Sequence, residues 1–142
     1  MERTSIVLDA SVIVKWFTQE EGKEKAVRIR NDFINNKIEI AVPDLIIYEL
    51  SNALRFNPKF NQEDVKDAIE SISTLDIDII VPLQNTIDKS ITLSFEHNIT
   101  IYDAFYVALA SELGFDLVTA DEKLYNKLKS LGFIYLLDDT EF

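Results

Sequence analysis

Short β-branched runs alternate along the whole chain with longer segments of helical periodicity, and that alternation restricts the possible architectures more than any other feature. Residues 5–8, 38–42, 77–81, 117–119 and 134–137 each have the length and composition of a buried parallel strand. Between them, residues 12–17, 23–35, 45–55, 62–74, 85–96 and 104–113 read as helices, as does the stretch from Glu122 to Leu131. Asp44 after Pro43 is an N-cap candidate, and Gly114 and Gly132 stand where helices should stop. Strands separated by helices of this length need crossover connections, so the expected fold class is α/β: a parallel sheet with helices on both faces, in three layers. With 142 residues, 47% of them hydrophobic, and only three Gly and three Pro, residues 1–142 read as a single domain without a linker.

Composition narrows the chemistry. The chain has no Cys and one His, which excludes disulfides, thiolate metal sites and imidazole-rich zinc sites. Any metal must therefore be held by oxygen. No apolar run approaches the roughly 20 residues of a membrane span, and the N-terminus lacks the layout of a signal peptide, so a cytoplasmic protein is expected. A net charge of −11 opposes broad adhesion to nucleic acid but leaves a metal-assisted nucleic-acid substrate open, and it suits a basic partner peptide. Lys23, Lys25, Arg28 and Arg30, with Lys15 nearby, form the best candidate strip for phosphate contacts, although a solvated helix face explains them more simply.

Four acids stand where apolar runs give way to turns or helices. Asp9 follows Ile6-Val7-Leu8, Asp121 follows Leu117-Val118-Thr119-Ala120, Asp103 opens the apolar helix Ala104-Phe105-Tyr106-Val107-Ala108-Leu109, and Glu49 interrupts another. In a parallel sheet the carboxyl ends of the strands share one edge, so Asp9 and Asp121 face one crevice if their strands are neighbours. Glu49 falls at the margin of the apolar face formed by Ile46, Ile47, Leu50, Ala53 and Leu54, with Asn52 on the same side. Each acid alone has a structural explanation as a helix cap or a first-turn charge. Together they need another: two unit charges ~4 Å apart repel by about 4 kcal/mol at an effective dielectric near 20, so a cluster implies protonation or a divalent cation. Mg2+ or Mn2+ with a substrate phosphate fits an all-oxygen site, which points to phosphodiester chemistry.

These residues resemble the PIN-domain ribonucleases and, within them, the VapC-type toxins of prokaryotic toxin–antitoxin pairs. The motifs are Leu8-Asp9-Ala10-Ser11 with Lys15-Trp16, then Glu49 with Asn52, then Tyr102-Asp103-Ala104 leading into Val107-Ala108-Leu109-Ala110, and last Thr119-Ala120-Asp121 followed by Leu124. They occur in order over the whole chain. The resemblance implies a five-stranded parallel sheet, an acidic quartet of Asp9, Glu49, Asp103 and Asp121, and a hydroxyl residue at Thr119. It further implies Mg2+ or Mn2+ dependence, endonucleolytic RNA cleavage, a homodimer, and a small antitoxin whose basic tail enters the acidic groove.

In this reading Asp9, Asp103 and Asp121 hold the cation, Glu49 completes the shell or orients the attacking water, and Thr119, Asn52 and Ser11 position ligands by hydrogen bonds. Trp16 is expected in the core, His97 at a helix end, and Tyr102 and Tyr106 in core or dimer packing. Two other classes compete: a receiver-like phosphate-accepting domain and a noncatalytic interaction module. The receiver is disfavoured by acids distributed over two helices as well as strand ends, and by the absence of a Lys after a late strand. A haloacid-dehalogenase-like phosphatase is disfavoured because Ser11, not a second acid, stands two residues after Asp9.

Overall fold

In the computed structural model, residues 4–142 are described. They contain strands β1 (Thr4–Leu8), β2 (Ile38–Pro43), β3 (Asp78–Ile80), β4 (Asp116–Thr119) and β5 (Ile134–Leu136). Helices α1 (Ala10–Ile13) and α2 (Lys23–Ile34) precede β2, α3 (Leu45–Arg55) and α4 (Gln62–Thr74) precede β3, α5 (Gln84–His97) and α6 (Ile101–Leu113) precede β4, and α7 (Glu122–Leu128) precedes β5. The strands form one sheet in the order β3-β2-β1-β4-β5, with every neighbouring pair parallel. The expected α/β class and five-stranded parallel sheet are both present.

Strand order determines where a site can lie. From β1 the chain moves to β2 and β3 on one side, then crosses to β4 and continues outward to β5. With right-handed crossovers, α1–α4 and α5–α7 are assigned to opposite faces, and the direction reverses between β1 and β4. A crevice opens at the carboxyl ends of those two strands. Their pairing, Val7 with Leu117 and Leu8 with Val118, makes Asp9 and Thr119 the next residues in line.

The centre of the sheet is dry. Ile6, Val7 and Leu8 of β1, Ile40, Ala41 and Val42 of β2, and Leu117 and Val118 of β4 are all buried, as strands covered on both faces must be. Helix α6 is buried over Ala104 and Tyr106–Ala110, as expected for a helix apolar nearly all the way round. Trp16 lies in the core and its indole Nε1 donates to the Ala26 carbonyl at 2.8 Å. His97 is the last residue of α5, and Asn98 turns the chain there in the left-handed conformation, φ 53°.

Several boundaries differ from expectation for local reasons. The helix after β1 is one turn of α-helix, Ala10–Ile13, that tightens to a 3-10 turn over Val14–Trp16. Helix α6 begins at Ile101 because Thr100 caps it, its hydroxyl accepting from the Asp103 amide at 3.0 Å; Asp103 is thus in the first turn and not at its head. Asp44 precedes α3 but makes no capping hydrogen bond with its side chain. On α3, Ile46, Leu50 and Leu54 are buried whereas Ala53 is exposed, so the apolar face is narrower than expected. Gly114 and Gly132 do end their helical segments, at φ 70° and 88°.

Four of the five basic residues of the candidate strip are committed to structure. Lys15 donates to the Glu21 carbonyl at 2.6 Å, Lys23 to that of Thr18 at 2.9 Å, Lys25 to that of Thr140 at 2.7 Å, and Arg28 to that of Phe142 at 2.8 Å. These bonds tie α2 to the loop before it and to the C-terminal segment, while Arg30 Nε is buried without a hydrogen-bond partner among the described residues. Core packing predicts that Leu117→Ala, at a fully buried position in β4, lowers unfolding stability by about 2–5 kcal/mol. Urea unfolding followed by Trp16 fluorescence would measure this, and a loss well under 1 kcal/mol would mean that β4 is not clamped as described.

Candidate active site

Asp9 leaves β1 at its carboxyl end, takes an extended conformation and caps α1. It is only 5% exposed, unusual for a carboxylate without a salt bridge. Hydroxyls compensate for the lost water. Its Oδ1 accepts from the Ser11 amide at 3.1 Å and from the Ser11 hydroxyl at 2.5 Å, and its Oδ2 accepts from the Thr119 hydroxyl at 2.5 Å. The network extends across the sheet edge: the Ala120 amide donates to Ser11 Oγ at 2.8 Å and the Asp121 amide to Thr119 Oγ1 at 3.1 Å. Asp9, Ser11, Thr119 and the turn after β4 therefore form one hydrogen-bonded unit at the point where the sheet changes direction.

The other three acids come from separate elements. Asp121 caps α7, accepting from the Leu124 amide at 3.1 Å, and is itself exposed. Asp103 is half-buried in the first turn of α6. Glu49 is half-buried on α3, and its Oε1 accepts from the Tyr106 hydroxyl of α6 at 2.6 Å. Asn52 is exposed on α3 and makes no side-chain hydrogen bond among the described residues.

Their charges act on one another through Asp103. Burial pushes the Asp9 carboxyl up from 3.8 to about 6, hydrogen bonds from Ser11 and Thr119 oppose that rise, and the charge of Asp103 adds to it. Glu49 is raised by burial, held back by the Tyr106 hydrogen bond and pushed further by Asp103. Asp103 is raised first by burial; Thr100 opposes this, Asp121 adds to it, and Lys127 opposes it again. So Asp103 interacts with each of the other three, which is a shared acidic field.

Sharing a field is a weaker condition than forming a cage. No group of three or more His, Cys, Asp or Glu among the described residues is close enough to hold an ion between them. The donors nevertheless suit a hard cation: all are carboxylates, with hydroxyls behind them, and Mg2+ commonly keeps several waters and uses one or two direct carboxylates. Asp9, Glu49, Asp103 and Asp121 would hold such an ion mainly through its waters. A larger depression of about 700 Å³ lies elsewhere, between α3 and α4, lined by Ser51, Arg55, Phe60, Val65 and Ile69 among others, and contains none of the four acids. Closer to the site, a smaller one of about 270 Å³ is lined by Lys15, Ala120, Glu122 and Leu136 among others.

Tyr106 was not among the expected site residues. Its signal in the sequence was weak but present: a phenol in a helix of otherwise apolar residues requires a partner for its hydroxyl. Tyr102, one turn earlier, is 60% exposed and has no such role.

The elevated acid has a consequence for stability. A carboxylate whose pKa is raised on folding stabilises below its unfolded value and loses that contribution as pH climbs through the folded one. For Asp9 the window runs from 3.8 to about 6, corresponding to about 3 kcal/mol. In chelator, Asp9→Asn should therefore gain stability relative to the wild type as pH rises from 4 to 7, by up to about 3 kcal/mol. Parallel urea titrations of the two proteins across that range test this, and a difference that stays flat or changes in the opposite sense would show that Asp9 is not held as a strained anion.

Comparison with known proteins agrees with this geometry. The PIN domain family matches residues 6–129. Ribonuclease VapC3 of Pyrobaculum aerophilum is 28% identical over 130 residues, covering 89% of this chain and 96% of that relative. Ribonuclease VapC1 of Mycobacterium tuberculosis is 31% identical over 121 residues, covering 83% and 86%. Among solved structures, a toxin–antitoxin complex from Klebsiella pneumoniae superposes with a TM-score of 0.72 at 14% identity, covering 93% of this chain and 97% of that one, a likeness of fold. The receiver-like alternative is thereby set aside: with its acids drawn from β1, α3, α6 and the turn after β4, this chain belongs to the PIN-domain family.

Proposed function

We propose that the protein is a Mg2+- or Mn2+-dependent endoribonuclease that hydrolyses RNA phosphodiester bonds, acting as the toxin of a VapBC-type pair with a small, basic-tailed antitoxin. The carrying observation is the acidic field centred on Asp103 at the sheet's switch point, with buried Asp9 at its base. Similarity to ribonucleases of the VapC kind supplies the substrate class. Residues 1–142 act as one domain in this reading, in the cytoplasm and as a homodimer, for which exposed Ile91 and Phe95 of α5 and Leu113 of α6 offer apolar surface. No helix among the described residues is long and apolar enough to cross a membrane.

Asp9, Asp103 and Asp121, with Glu49, would hold the ion directly or through water. Once bound, it supplies Lewis acidity towards a phosphoryl oxygen and neutralises charge during in-line displacement. The chain's own groups prepare that site. Ser11 and Thr119 donate to Asp9 and favour its anionic form despite burial, while the backbone turn they brace sets Asp121 opposite. Four acids without a cation would repel an RNA phosphate, so substrate and ion are expected to bind together.

The test uses structured and single-stranded RNAs blocked at both ends. Internal cuts should appear with Mg2+ or Mn2+ and vanish with chelator. Thr119→Val should slow cleavage about 10–100-fold, and Asp103→Asn by more. Cutting that survives chelation would sink the cation dependence, a need for free ends would make the enzyme an exonuclease, and inertness under every condition would favour a noncatalytic interaction module.

A further inference from the structure

Tyr106 is one of the largest fully buried side chains, 1% exposed, and Ala104, Val107 and Ala108 around it are equally buried and wholly apolar. A Phe would fill the same space, and packing asks for nothing more. The hydroxyl is what packing leaves unexplained. It spans from α6 to α3 and donates to Glu49 Oε1 at 2.6 Å, one helical turn beyond Asp103. Glu49 Oε2 makes no hydrogen bond among the described residues.

We infer that Tyr106 is a positioning residue of the acidic site: by binding Oε1 it fixes the Glu49 carboxylate and leaves Oε2 as the oxygen presented to a divalent cation or to a water of its shell. The direction of the bond is settled by chemistry. At neutral pH the phenol carries the one hydrogen between the two groups, so it donates and the Glu49 carboxylate accepts. Asp103, three residues earlier on α6, carries a like charge towards Glu49, whereas the phenol donates a hydrogen bond to it. Helix α6 thus brings both the acid that repels Glu49 and the hydroxyl that holds it in place.

The inference rests on the cation-dependent reading above, so the experiment separates the two. Mn2+ binding is measured by calorimetry on the intact chain for the wild type, Tyr106→Phe, Glu49→Gln, the double variant and Asp103→Asn, with urea midpoints alongside. Tyr106→Phe should weaken Mn2+ binding about 10-fold, and the double variant should bind no more weakly than Glu49→Gln alone, because Tyr106 acts only through Glu49. Tyr106→4-aminophenylalanine, which keeps a donor at the same place, should bind close to the wild-type value and covers the case in which the Phe variant folds poorly. Equal affinity in wild type and Tyr106→Phe, or losses that add in the double variant, would overturn the role of Tyr106 alone. A wild type that binds no Mn2+, or an Asp103→Asn variant that binds it undiminished, would overturn the cation reading and this inference with it.

Discussion

The buried carboxylate of Asp9, bonded to hydroxyls on both sides, is the constraint on which the rest of the site depends. It sits where β1 and β4 part, and its two oxygens are bound by Ser11 from its own turn and Thr119 from the neighbouring strand. Those hydroxyls in turn receive the amides of Ala120 and Asp121, so the turn carrying the next acid is placed by the same network. Replacing water with hydroxyl donors lets an anion exist at a dry sheet edge, and the residual cost is visible in an acidity weakened to about 6. A site of this kind is a place where the fold accepts strain for later use.

The acids form no group that could hold a bare ion among the described residues, yet their charges couple through Asp103. The rest of the chain offers little compensation: Lys15, Lys23 and Lys25 are turned to backbone carbonyls, and Lys127 is the one cation that lowers the pKa of Asp103. With a net charge of −11, the protein as a whole favours an external positive ligand over an internal salt bridge.

Much of this was legible in the sequence because the signals were local. Strand lengths, the glycine stops at Gly114 and Gly132, and the caps at Asp9 and Asp121 depend on neighbours within a few residues. The adjacency of β1 and β4 was needed for the crevice but was a condition and not a result, since strand order is decided by long-range packing. The Glu49–Tyr106 bond joins positions 57 residues apart, and nothing in either helix's periodicity announces it. The structural partners of the basic residues were hidden for the same reason: Thr140 and Phe142 lie more than a hundred residues from Lys25 and Arg28, invisible to any window along the chain. The start of α6 moved by a few residues because Thr100, an exposed cap, outranked the apolar run as the boundary signal.

The elevated acidities also tie binding to folding. A site whose carboxylates are pushed towards protonation by burial and by one another stores unfavourable free energy in the empty fold, and any cationic ligand that binds only the folded form releases it. Saturation at 100 times Kd would add about 2.7 kcal/mol, comparable with what ionised Asp9 alone takes away. If the proposed function holds, a metal ion and a basic peptide segment would satisfy the same electrostatic demand, draw on the same stored free energy and compete for it. Competition of that sort needs no conformational switch: occupancy by one charged group removes the repulsion that would have recruited the other.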